Sequence, residues 1–241
     1  MISEYMKKYK NDTKYEQGVL FFVKYPKVGD VKSRLSKDLD PSITVELYRC
    51  FVQDLLKMLN TTSYSIFICF YPSNYLNNFK QWLGNKYNYI PQEGKDLGQR
   101  MENCFNYIFT KKFDQLIVIG SDSPDLPNEI LNQAFLKLQT HDAVIGPSLD
   151  GGYYLLGFNR ACYSPNFFKD VSWGKDTVFA KTKKRFLDEK LSFFILPVWG
   201  DIDTFQDLEN YYQNNKNKEL KSSSTMTYLQ KMIFQKKDDL K

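Results

Sequence analysis

Cysteine and histidine are scarce, with four cysteines and one histidine in 241 residues. Cys50, Cys69, Cys104 and Cys162 are widely spaced without a CxxC pair, and three of them sit in apolar periodic segments, so no disulfide and a reducing, cytoplasmic setting are expected. With His141 alone, a zinc site of His and Cys donors has too few ligands, whereas a hard cation held by carboxylates needs neither residue type. Long apolar runs are missing too. The longest, Val19 to Val23 and Phe193 to Val198, fall far short of a membrane span, and the opening MISEYMKKYKNDTKYEQ has no apolar signal region, so a soluble, unprocessed protein is expected. Neither GxGxxG nor P-loop spacing occurs.

What is present is enough to fold. At 42% hydrophobic and 25% charged residues the chain can bury a sizeable core as one domain, which excludes disorder throughout. The net charge of +5 is modest and partly concentrated near the C-terminus, in Lys216, Lys218, Lys221, Lys231, Lys236, Lys237 and Lys241. The 17 Tyr and 19 Phe fall mostly within apolar strand or helix runs and not among clustered cations, which argues for core and against a nucleic-acid groove.

Strand-like runs alternate with segments of helical period. Strands are expected over Gly18 to Val23, Ser65 to Phe70, Tyr87 to Ile90, Gln115 to Ile119, Asp142 to Gly146, Tyr153 to Phe158 and Ser192 to Val198. Helices are expected over Pro41 to Leu59, Tyr75 to Leu83, Leu97 to Phe109, Glu129 to Leu138, Thr177 to Glu189 and Phe205 to Tyr212. This order predicts an α/β fold, a mostly parallel central sheet with helices on both faces. The expected division is an extension over residues 1–16, one folded domain over 17–213, and a Lys-rich tail over 214–241, read as mobile although a helix over Met226 to Gln235 is compatible with its pattern.

Two acidic positions organise the functional reading. Asp122, in GSDSPDLP, follows the most apolar strand, and Asp203, in DIDTFQDLE, follows the last one. Open α/β sheets place ligands at the C-terminal tips of their strands, so acids arriving there from distant sequence can share a divalent cation, Mg²⁺ or Mn²⁺. Asp and Ser before Pro are also ordinary turn formers. In DIDTFQDLE a helix-capping box explains Thr204 and Asp207 but leaves Asp201 and Asp203 for another role. The loop KYPKVGDVKSRL carries Lys24, Lys27, Lys32 and Arg34 around Gly29, a combination suited to phosphate oxygens, although a solvated basic loop is the default reading of such a run. DGGYYLLG reads first as a hairpin turn. Its glycines also allow close approach to a ligand, with Asp150 able to accept from a substrate hydroxyl.

Taken together and in order, KYPKVGDVKSRL, GKDLGQRM, GSDSPDLP, GPSLDGGYYLLG, VSWGKDTV and DIDTFQDLE resemble the bacterial glycosyltransferase-like proteins grouped as a domain of unknown function and linked to arsenosugar biosynthesis. That family lies within the nucleotide-diphospho-sugar transferase superfamily, and the resemblance covers Gly18 to Tyr212. It implies a single GT-A type, Rossmann-like domain, with Lys24, Gly29, Lys32 and Arg34 at the nucleotide phosphates and Leu97, Gly98 and Arg100 at the base and ribose. It further implies Asp122 and Asp203 on the metal, and Asp150, Gly151, Gly152 and Trp173 toward sugar or acceptor, with Asp122, Asp150 and Asp203 as the catalytic acids. The implied activity is metal-dependent glycosyl transfer from a nucleotide-sugar to a small-molecule acceptor. Nucleotidyl transfer with release of pyrophosphate and a non-catalytic nucleotide-binding module remain as alternatives. The chain departs from the usual Asp-x-Asp, since Asp122 and Asp125 are three apart, and Ser33 stands where Thr is often found.

Overall fold

A computed structural model of the chain describes residues 16–171, 173–174, 176–217 and 219–238, so the expected N-terminal extension lies outside the described residues except for Glu16. Seven strands form one sheet: β1 (Gln17–Lys24), β2 (Ser65–Tyr71), β3 (Asn88–Pro91), β4 (Gln115–Ile119), β5 (Ala143–Pro147), β6 (Tyr153–Asn159) and β7 (Phe193–Ile195). Their order is β3-β2-β1-β4-β6-β5-β7, parallel throughout except that β6 runs antiparallel to both neighbours. The helices are α1 (Pro41–Leu59), α2 (Leu76–Leu83), α3 (Leu97–Phe109), α4 (Asn128–Leu138), α5 (Val178–Asp188), α6 (Phe205–Asn215) and α7 (Ser224–Asp238). No helix among the described residues is long and apolar enough to cross a membrane.

The layering follows from strand alternation. In β1, Val19, Phe21 and Val23 face the cluster covered by α1, α2 and α4, while Leu20 and Phe22 face the cluster under α3 and α5. A strand buried on both faces must be apolar at successive positions, which is how VLFFV reads. Asp40 starts α1 by accepting from the Ser42 N–H at 2.8 Å, with Pro41 placed where its missing N–H costs nothing. The sheet order reverses between β1 and β4, so the carboxyl ends of those two strands frame a crevice.

Two expectations are corrected. β7 is shorter than Ser192 to Val198: beyond Ile195 only Leu196 N–H (to Ile145 O, 2.9 Å) and Trp199 N–H (to Pro147 O, 3.1 Å) still reach β5, because Pro197 has no N–H to give. More consequential is the segment read as a mobile tail. It contains α7, which docks on α1: buried Asp54 accepts from Ser224 N–H (2.7 Å), Thr225 N–H (2.8 Å) and Thr225 Oγ1 (2.7 Å), supplying the helix's missing N-terminal partners from another element. Met226 and Leu229 then join Leu47, Phe51, Leu208 and Tyr211 in a third apolar cluster.

Candidate active site

At the carboxyl ends of β1 and β4 lies a cavity of about 370 Å³. Asp122 follows β4 directly, and Asp203 reaches it from the other end of the chain through three cross-links. Trp199 Nε1 donates to Asp125 Oδ1 (3.1 Å), Ser123 Oγ to Asp201 Oδ1 (2.6 Å), and Ile202 N–H to Asp122 O (2.9 Å). The capping box of α6 completes the positioning, since the Asp207 carboxylate accepts from the Asp203 N–H (3.2 Å) and the Thr204 N–H (2.8 Å). Between the two acids sits Lys32. Its Nζ forms ion pairs with Asp122 and with Asp203 Oδ1 (3.0 Å), and Arg34 Nη1 approaches Asp203 Oδ2 at 3.5 Å. Lys32 has φ of 48°, a left-handed conformation that costs a side-chain-bearing residue about 1–2 kcal/mol and is held here by its surroundings. Ser36 helps to hold it, with N–H (3.0 Å) and Oγ (3.2 Å) both donating to Lys32 O.

The electrostatics are those of a charged site in a partly buried crevice. Burial works against the Lys32 ammonium, yet Asp122 and Asp203 outweigh it and hold the pKa above the ordinary lysine value. Tyr48, from α1, accepts from Lys24 N–H (3.0 Å) and shares a hydrogen bond with Ser121 (2.8 Å), pinning the tips of β1 and β4 together; burial and the nearby Asp122 push its phenol pKa up. Asp201 is pushed up to about 6, chiefly by burial and then by Asp122 and Asp150, against the Ser123 hydrogen bond and Lys32. Because the folded value lies above the ordinary 3.8, the folded chain favours the protonated acid, and stability falls as pH rises from 3.8 through about 6. Asp201→Asn should therefore raise stability at pH 8 by on the order of 3 kcal/mol, with no difference below pH 3.8. Chemical denaturation with EDTA present, at both pH values, checks this; a destabilised variant at pH 8 would show that the charge is not buried at a cost.

Of the residues expected at the site, Lys24, Lys32, Arg34, Leu97, Asp122 and Asp203 line the cavity together. Gly29, with φ of 85°, lies in the turn between Lys24 and Lys32, where an added Cβ would meet nothing within 4 Å. Arg100 packs its guanidinium over the Tyr71 ring at 3.8 Å and donates through Nε to Gly94 O (3.3 Å). Gly98 faces Trp173: a Cβ there would lie 2.5 Å from the indole Nε1, and Trp173 itself packs against Tyr153 and Phe168. Asp150 closes its own turn, accepting from Ser148 Oγ and from Gly152 N–H (2.9 Å). Gly151 (φ 85°) abuts the backbone of Asp176, where a Cβ would come within 2.1 Å of a carbonyl oxygen. Gly98 and Gly151 thus serve to seat the loop before α5. Polar cavity residues not singled out from sequence include Tyr48 and Gln92; the latter is buried and donates through Nε2 to Cys69 O (2.6 Å). Gln92 ends a parallel strand just as Asp122 does, and that position was the available signal. Tyr48 sits on an ordinary apolar helix stripe and gave none.

Among the described residues no cluster of three or more His, Cys, Asp and Glu is arranged to hold a metal. Two carboxylates do converge on one cationic atom, the Lys32 ammonium. That donor set suits Mg²⁺ or Mn²⁺, which bind through one or two carboxylates completed by substrate phosphates.

A family model described as uncharacterized protein conserved in bacteria (DUF2064) matches residues 54–175. Among solved structures, the "putative nucleotide-diphospho-sugar transferase" of Desulfovibrio desulfuricans G20 is 39% identical with a TM-score of 0.87, over 90% of this chain and 95% of that one. A cytidylyltransferase of Leptospira borgpetersenii (15% identity, TM-score 0.52, 93% and 95% covered) and the 4-diphosphocytidyl-2C-methyl-D-erythritol synthase of Anaerococcus prevotii (10%, 0.53, 83% and 97%) share the fold. No curated protein matches the chain.

Proposed function

The chain belongs to the bacterial family DUF2064, and from that premise we propose that it is a metal-assisted transferase that takes a glycosyl group from a nucleotide-diphospho-sugar and passes it to a small-molecule acceptor. One observation carries the reading: Asp122 and Asp203, from well-separated parts of the sequence, meet at a single point of positive charge beside the cations of the first loop. In this reading Lys24, Lys32 and Arg34 hold the diphosphate, and the apolar wall at Leu97 and Met101 receives the nucleoside. Asp122 and Asp203 hold Mg²⁺ or Mn²⁺, which supplies Lewis-acid stabilisation of the charge on the leaving diphosphate. The loop cations add to that stabilisation without forming a covalent intermediate. In the same reading Asp150, on the turn beside Asp201, would accept from a sugar or acceptor hydroxyl once Ser148 releases it.

Nucleotidyl transfer is the second reading. It is favoured by the engagement of Asp125 with Trp199, which leaves Asp122 as the acid that the loop after β4 contributes to the cavity. Incubation with Mn²⁺ and a panel of nucleotide-sugars should release free nucleoside diphosphate. Release of pyrophosphate from nucleoside triphosphate and sugar phosphate would instead establish the second reading, and ligand binding with neither product would leave a non-catalytic module.

Arg34 offers a finer check. Its Arg34→Ala variant should weaken nucleoside diphosphate by about 1.5–3 kcal/mol, the range for a hydrogen bond to a charged group, and leave the nucleoside unaffected. Calorimetry with both ligands measures this, and equal losses would move Arg34 away from the phosphates.

A further inference from the structure

Lys32 is buried more deeply than the acids it joins: its side chain is 3% exposed, against 44% for Asp122 and 35% for Asp203. Its ammonium therefore lies beneath the two carboxylates and is not draped over them from solvent. It is also committed. The left-handed backbone at Lys32 is fixed by both Ser36 hydrogen bonds, and Nζ lies 5.8 Å from the Phe51 ring centroid. A divalent cation shared by Asp122 and Asp203 would have to enter the space that this ammonium fills, and two cations a few ångströms apart in a crevice repel strongly. An anion changes the balance, because phosphate oxygens give the ammonium a second partner and add ligands for the metal.

We propose that Lys32 is the resident cation of the Asp122–Asp203 pair, keeping a divalent metal out until the diphosphate of a nucleotide arrives to take the ammonium. The inference rests on the metal-assisted reading of the same site and adds an order to it: nucleotide and metal bind together, and metal alone does not. By linkage the coupling is reciprocal, so whatever the nucleotide contributes to metal affinity the metal contributes to nucleotide affinity.

The test uses Mn²⁺ alone, followed by electron paramagnetic resonance of the free ion, on the full chain without nucleotide. The unaltered protein should bind Mn²⁺ no more tightly than the millimolar range. Lys32→Met should bind it at least tenfold more tightly, and adding Asp122→Asn to that variant should abolish the gain. Lys32→Arg, which keeps the charge, should stay as weak as the unaltered chain. Tight, micromolar binding by the unaltered protein overturns the proposal whether or not the Lys32→Met chain folds, while leaving the metal-assisted reading standing. Failure of a folded Lys32→Met variant to bind Mn²⁺ at all overturns both.

Discussion

Asp203→Asn is expected to lower turnover by roughly 10²–10³-fold, the loss typical of removing one fixed stabiliser of developing charge. The fold is expected to survive, because Asp203 is held by backbone contacts that the substitution keeps, the Asp207 carboxylate on its N–H and the neighbouring Ile202 N–H on Asp122 O. Its side chain is partly exposed, so the charge it leaves unpaired on Lys32 remains compensated by Asp122. Asp122→Asn should behave alike, since each substitution removes one of two anionic ligands from a shared ion. Turnover and Mn²⁺-dependent nucleotide affinity, measured for both variants beside their melting curves, decide the matter. Unchanged Mn²⁺-dependent affinity in either variant would sink the shared site.

Truncation after Asn215 has the second large effect, and it falls on stability. Deleting α7 removes Met226 and Leu229, 0% and 5% exposed, from the cluster formed with α1 and α6. Losing buried side chains of this size costs about 2–5 kcal/mol each. The deletion also strips buried Asp54 of its three hydrogen bonds, a further penalty of roughly 1–3 kcal/mol. Against a total stability of about 5–15 kcal/mol, the truncated chain should be unfolded or close to it at 37 °C. Circular dichroism during a thermal scan checks this. A truncated protein that melts with the full chain would restore the dispensable tail that composition alone suggests.

A helix over Met226 to Gln235 fits the local pattern, but the docking of α7 on the core is not legible in sequence, for a physical reason. Its apolar face among the described side chains is narrow, and what seats it is a carboxylate on another helix, Asp54, 171 positions before Thr225. Local composition carries no trace of such a partner. Elements whose stability is local were legible. The α1 and α3 boundaries follow from Asp40 and Asp96 as N-caps and from a steady apolar stripe, and β4 from five consecutive buried residues. Asp122 was legible for the same reason, being the first acid beyond a strand buried on both faces. The glycines were harder to read, because tolerance of a positive φ or a close neighbour looks the same in sequence whether the neighbour is a ligand or, as at Gly98 and Gly151, the chain's own Trp173 and Asp176. Lys32 was legible as a cation in a basic loop. That its ammonium lies between two acids depends on the three cross-links from 199–202 to 122–125, which only the folded chain displays.

The central claim is that one divalent ion, a nucleotide diphosphate and the Asp122–Asp203 pair assemble at the β1/β4 crevice. Crystals grown with Mn²⁺ and a nucleoside diphosphate, with diffraction recorded at a wavelength where manganese scatters anomalously, test it most directly. The account predicts a single anomalous peak in contact with both carboxylates and with phosphate oxygens, with Lys32 Nζ moved onto the diphosphate. A nucleotide bound with no peak between Asp122 and Asp203, or a peak there with Lys32 still bridging the two acids, would contradict it.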